Sequence, residues 1–106
     1  GFNYFDFNDN RAAIGFDLRK SYWGQGIMPE AVTAVLAFGF ERIGLNRIEA
    51  DCSIMNVASQ RVLRKVGFTY EGRQRDQYYY DGLYYDLLLW SVLKREWDAR
   101  HPASSQ

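Results

Sequence analysis

The sequence predicts an α/β fold, a mixed sheet with two helices in the order β-β-α-β-α-β-β. Three observations point to it. Residues Arg47 to Ile54 alternate, with Ile48, Ala50, Cys52 and Ile54 on one side and Glu49, Asp51 and Ser53 on the other. That is the two-residue period of a half-buried strand. Helical periodicity flanks this strand on both sides, and strand-helix-strand units normally make right-handed parallel crossovers. Asp81-Gly82 separates the runs Phe68 to Tyr80 and Leu83 to Trp97, a strong hairpin signal.

The elements follow in order. Phe2 to Phe7 is short and aromatic-rich, as strands are. Asn8-Asp9-Asn10 supplies turn chemistry, because Asx side chains bond their own backbone. Ala12 to Leu18 reads as a second strand, with Ala12, Ile14, Phe16 and Leu18 on one face. A loop over 19–28 then leads to Pro29, which suits the first position of a helix, where its missing N–H costs nothing. Val32, Val35, Leu36 and Phe40 recur at helical spacing, Glu30 sits at the favourable positive end, and Gly44 marks the stop. After the alternating strand, Asn56 is a good N-cap. Val62, Leu63 and Val66 give the next helix its apolar stripe, ending at Gly67. Residues 1–100 form one domain and 101–106 a tail.

Composition narrows the function. The 106 residues are 47% apolar and 25% charged, with thirteen basic and thirteen acidic side chains. Zero net charge gives no bulk attraction to nucleic acid or anionic membrane, so neither is expected as a partner. A nucleic-acid reading built on Arg61, Arg64, Lys65, Arg73 and Arg75 is therefore the weakest of those considered. One cysteine and one histidine exclude a disulfide framework and any multi-thiolate or multi-histidine metal site. Apolar runs such as Leu87 to Trp90 are far shorter than the ~20 residues that span a bilayer. Residues 1–20 lack the apolar stretch of a secretory signal, so a cytoplasmic location is expected.

Two segments have chemical possibilities. Ser21-Tyr22-Trp23-Gly24-Gln25-Gly26-Ile27-Met28-Pro29-Glu30 lies between a strand and a helix start. Helix N-termini bind phosphate, and glycines let an anion approach the backbone. The same glycines can simply permit a tight turn. A dinucleotide fingerprint would need glycine where Pro29 stands, and no P-loop Gly-Lys-Ser/Thr is present. The second segment, Asn56 through Phe68, is a capped, basic, amphipathic helix. Taken alone it reads as Asn56 capping, Ser59 in the first turn, and Arg61, Arg64 and Lys65 in solvent.

Together these segments resemble the GNAT superfamily of N-acetyltransferases. The resemblance rests on Trp23-Gly24-Gln25-Gly26-Ile27-Met28-Pro29-Glu30-Ala31, on Asn56-x-x-Ser59 through Gly67-Phe68, and on Glu71-Gly72, Gly82 and Asp86. Within the superfamily it is nearest to the RimJ/RimL-like group, which acetylates α-amino groups of ribosomal proteins and, in relatives, other amines. It runs from about Ala12 to Trp97. The implied fold is the C-terminal portion of the GNAT domain. The implied activity is transfer of an acetyl group from acetyl-CoA, a cosubstrate, to a primary amine by direct attack in a ternary complex. The alternative is a CoA-binding module or an inactive fragment without turnover.

The resemblance also implies residue roles. The backbone of the strand holding Phe16 and Leu18 would pair with the pantetheine arm. Trp23, Gly24, Gln25, Gly26 and Ile27 would wrap the pyrophosphate. Asn56 would hydrogen-bond the pantetheine arm, and Ser59 would protonate the leaving thiolate. The strand Arg47 to Ile54 would splay from its parallel neighbour to admit the thioester. Ser21 stands where the family often has Gln or Arg, with Lys20 adjacent. The chain begins near the middle of the family's domain, so the segment Phe2 to Phe7 or its neighbour is expected to present a sticky edge and promote homo-oligomers.

Further candidates have stronger structural readings. Asp17, Glu49 and Asp51 could serve as bases but read first as polar strand positions. In some relatives the base comes from the strand after the second helix. Asp76 is the only carboxylate near that place, which Tyr78 would occupy. The tyrosines at 78, 79, 80, 84 and 85 read as cross-strand packing before an acceptor cradle. Cys52 reads as inert core. His101 has no partner in the sequence around it.

Overall fold

A computed structural model describes residues 2–6, 13–18 and 29–102. The Asn8-Asp9-Asn10 turn and the loop carrying Trp23, Gly24, Gln25, Gly26 and Ile27 lie outside the described residues. Strands β1 (Phe2–Asp6) and β2 (Ala13–Leu18) precede helix α1 (Pro29–Ala37), which continues as a π-helical turn over Phe38–Ile43. Then come β3 (Arg47–Ser53), α2 (Val57–Val66), β4 (Thr69–Tyr80), β5 (Leu83–Leu93) and α3 (Lys94–Arg100).

The five strands form one sheet in the order β1-β2-β3-β5-β4. Only the β2–β3 pair is parallel. The second crossover carries the chain past the place β5 later fills, so β5 inserts between β3 and β4. Both crossovers run the same way along the sheet. Right-handed crossovers then put both helices on one face. Val32, Leu36 and Phe40 accordingly share a single core with Leu63, with Ile48, Ala50 and Cys52 of β3, and with Leu88, Trp90 and Val92 of β5. Gly39 permits this approach, since a Cβ there would lie 2.7 Å from Ile48 Cδ1.

Gly44 ends the first helical segment as expected, at φ 83°. The last strand does not reach Trp97 as the sequence reading extends it. It ends at Leu93, and α3 follows. Glu96 accepts the Leu93 N–H at 2.9 Å, Lys94 donates to the Asn46 carbonyl, and Trp97 is buried against Phe40. Leucine at the N-cap position hides this start from a search for Ser, Thr, Asp or Asn. His101 does have a partner: its ring stacks on Trp97 at 3.8 Å, while Trp97 Nε1 donates to Glu41. Among the described residues no helix is long and apolar enough to cross a membrane.

Candidate active site

Strand β3 delivers the chain to a tightly bonded turn before α2. The Asn56 N–H donates to the Ser53 carbonyl at 2.8 Å, and the Met55 N–H donates to Ser53 Oγ at 3.1 Å. Ile54 is held on both sides. Its N–H donates to the Asp86 carbonyl on β5, and its carbonyl accepts from Gln60 Nε2, each at 2.9 Å. Asn56 then caps α2, its Oδ1 accepting the Ser59 N–H at 3.1 Å. This satisfies one of the helix's otherwise unpaired N–H groups.

Ser59 is fully buried, yet its Oγ has no hydrogen-bond partner among the described residues. Leaving a buried hydroxyl unsatisfied costs about 1–3 kcal/mol. The Ser59 side chain is therefore not part of the cap: Asn56 caps through its own side chain, and Ser59 contributes only its backbone. No acidic residue stands in the first turn of α2, so the positive helix end is not neutralised by its own side chains. The basic Arg64 and Lys65 lie in the last turn. Arg64 is not simply in solvent, for its guanidinium sits 5.3 Å from the Trp90 ring centroid.

The other predicted positions are placed as follows. In β2, Phe16 stands opposite Ala50 and Leu18 opposite Cys52. Phe16 also faces Phe2 of β1, whereas Leu18 lies past the end of that pairing. The β2–β3 register runs unbroken from Ala13↔Arg47 to Leu18↔Cys52, so no splay occurs within it. Asp17 stands opposite Asp51 in the same register. Glu49 accepts from Arg47 Nε at 2.8 Å.

Cys52 is fully buried, and burial pushes its thiol up to about 11. It is an inert core residue at neutral pH. The tyrosines pack across the hairpin: Tyr79 meets Tyr84 edge-on at 5.0 Å, and Tyr78 lies 6.2 Å from Tyr85. Tyr79 and Tyr84 keep one side in solvent.

Two features escape sequence reasoning. Gln60 reaches back six residues to Ile54, and amide side chains on a helix give no signal of such a contact. The second is a polar rung on the sheet face opposite the helices' core. Arg47 donates to Glu71 through both terminal nitrogens, and Ser91 Oγ donates to the same carboxylate at 2.8 Å. Glu71 is the extra residue of a one-residue bulge between Tyr70 and Gly72. Arg47 above all, and Ser91 after it, hold the Glu71 carboxyl below its usual range.

Comparison with known proteins matches this geometry to a family. The profile of the acetyltransferase (GNAT) domain fits residues 1–69. An N-acetyltransferase of Bacillus licheniformis named p20, itself uncharacterized, is 40% identical over 97 residues, 92% of this chain and 54% of its own length. The crystal structure of the ribosomal-protein-S5-alanine acetyltransferase of Vibrio fischeri superposes with a TM-score of 0.69 at 31% identity, covering 91% of this chain and 53% of that one. A spermidine N-acetyltransferase from Vibrio cholerae shares the fold, with a TM-score of 0.76 at 17% identity over 93% of this chain and 58% of that one. The chain spans about half the length of the curated relatives it matches. With a helix-capped turn after β3, an inserted β5 and a matching domain profile, the chain belongs to the GNAT acetyltransferase family.

Proposed function

We propose that this protein transfers the acetyl group of acetyl-CoA to a primary amine, either a protein N-terminal α-amine or a small amine. The observation that carries the reading is the Ser59 hydroxyl, buried and without a partner among the described residues, at the positive end of α2 beside the capping Asn56. A buried polar atom without a partner asks for a ligand. A thioester sulfur lying over the first turn of α2 would complete it.

Acetyl-CoA supplies an acyl group activated as a thioester. The main-chain N–H groups of Trp23, Gly24, Gln25, Gly26 and Ile27 take the pyrophosphate, where glycine removes the Cβ that would crowd an anion. The β2 backbone at Phe16 and Leu18 aligns the pantetheine arm, and Asn56 hydrogen-bonds it. The neutral amine attacks the carbonyl directly, a C–N bond forms as the C–S bond breaks, and the nitrogen's surplus proton passes to water. Ser59 Oγ–H donates toward the departing sulfur, and the α2 N-terminus favours its negative charge. Cys52 takes no part, being buried and protonated. The Vibrio fischeri relative's name supports a protein α-amine as acceptor. Homo-oligomerisation and a cytoplasmic location complete the proposal.

The test is calorimetric titration of the full-length protein with acetyl-CoA, followed by a transfer assay on an alanine-initiated peptide and on spermidine. Gly26→Val is expected to weaken acetyl-CoA binding about tenfold with the fold retained. A protein that binds acetyl-CoA and acetylates neither amine would reduce the reading to a CoA-binding module.

A further inference from the structure

A second feature adjoins the candidate site from the other flank of β3. On β4 the three residues 75–77 stand opposite the single residue Asp86, between the pairs Gln74↔Leu87 and Tyr78↔Tyr85. At the centre of this bulge Asp76 has φ 52°, the left-handed region in a residue that is not glycine. Such a conformation persists where its surroundings hold it. Asp86 does the holding. Its Oδ1 accepts the Asp76 N–H at 2.8 Å, and its Oδ2 accepts from Arg73 Nε. The bulge amide first, and Arg73 second, keep the Asp86 carboxyl below the usual range.

The main chain of Asp86 faces the other way. Its carbonyl accepts the N–H of Ile54, the residue that leads from β3 into the Asn56–Ser59 turn. One residue thus ties the bulge to the candidate site. The bulge borders a concavity of about 560 Å³ lined by Gln74, Arg75, Asp76, Gln77 and Asp86.

The strand order says which reactant this concavity would serve. Acetyl-CoA is assigned to the β2 side of β3, and β5 and β4 lie on the opposite side. Bulges next to active sites re-aim side chains. We propose that Asp86 is a positioning residue for the acceptor. By clamping the 75–77 bulge it fixes a polar surface of one guanidinium, two amides and the Asp76 carboxylate, suited to the main-chain carbonyls and N–H groups of a peptide presenting its α-amine. The inference rests on the acetyl-transfer reading above.

The experiment uses full-length protein, acetyl-CoA, the alanine-initiated peptide and spermidine. Asp86→Ala should raise the peptide KM about tenfold, the loss of one hydrogen bond to a charged group. The kcat at saturating peptide, the acetyl-CoA Kd and the spermidine KM should each change less than about twofold. Adding Asp76→Gly, which adopts positive φ without a Cβ, should recover much of the lost peptide KM. Because glycine at 76 also relieves backbone strain, a thermal melt of each variant separates a change in peptide KM from a change in the folded fraction. If Asp86→Ala does not fold, Asp86→Asn still offers the bulge one acceptor and should raise the peptide KM by about threefold. An unchanged peptide KM, a loss confined to kcat, or a parent that acetylates spermidine and not the peptide overturns the role given to Asp86. A parent that neither binds acetyl-CoA nor transfers an acetyl group overturns the reading beneath it, and the role with it.

Discussion

The two ends of α2 are built to opposite specifications. The C-terminal end is closed by the protein's own groups. Gly67 adopts φ 113°, its N–H bonds back to Leu63 and Arg64, and its carbonyl accepts from Arg100 of α3 at 3.1 Å. At the N-terminal end Asn56 caps one N–H, while the fully buried Ser59 keeps a hydroxyl with no partner among the described residues. A folded chain closes a helix end when it can, because unpaired buried groups cost stability. On the proposed reading, the open end is where acetyl-CoA supplies the missing contact.

The comparison is sharpest at Ser59. Ser59→Ala removes an unsatisfied group, so the melting temperature and the acetyl-CoA Kd should hold. Turnover should fall about 100-fold, the low end for general acid catalysis. Single-turnover kinetics beside a thermal melt would read both. Lowered stability with full turnover would make both ends of α2 purely structural.

The closed end should respond in the opposite sense. Gly67→Ala forces a side chain into positive φ, with its Cβ 2.2 Å from the Arg100 guanidinium. The expected cost is about 1–3 kcal/mol of stability, with turnover per folded molecule unchanged. Denaturant titration with active-site normalisation would check it. Asn56→Ala belongs to both classes. It should cost about 1 kcal/mol as a lost cap and also weaken acetyl-CoA binding. A variant losing stability alone would assign Asn56 to structure only.

The smallest effect separates α2 from the sheet. No carboxylate lies in its first turn, so neither end of the helix should lend acid sensitivity. Glu71 should, because Arg47 and Ser91 hold its folded-state carboxyl below the usual carboxylate range. A depressed carboxyl contributes stability above its unfolded pKa and loses it as pH falls through the folded one. The contribution is present at neutral pH and lost progressively as pH falls through and below the ordinary carboxylate range. Because Glu71 is 38% exposed, it is worth at most about 1 kcal/mol. Glu71→Gln should flatten that acid limb in pH-dependent unfolding, whereas Ser59→Ala should leave it unchanged.

Much of this was legible in the chain. The alternation of Arg47 to Ile54 gave β3 almost to the residue, Asn56 and Gly67 gave both ends of α2, and Asp81-Gly82 gave the hairpin. Each is a local signal, carried by side chains within a turn or two of one another. The start of α3 was not legible, because its cap position is Leu93 and its stabilising contacts come from Asn46 and Phe40 far back in the chain. The candidate site was half legible: the types and spacing of Asn56 and Ser59 suggested it, but their burial did not show.

The sequence by itself determined the order of the strands and the two longer helical segments, and the family, since periodicity, caps and motif spacing are properties of neighbouring residues. The tertiary structure alone decided the insertion of β5 between β3 and β4, the clamping of the β4 bulge by Asp86, and the isolation of the Ser59 hydroxyl. Those depend on contacts between distant segments. Whether a polar atom finds a partner is settled only when those segments close around it.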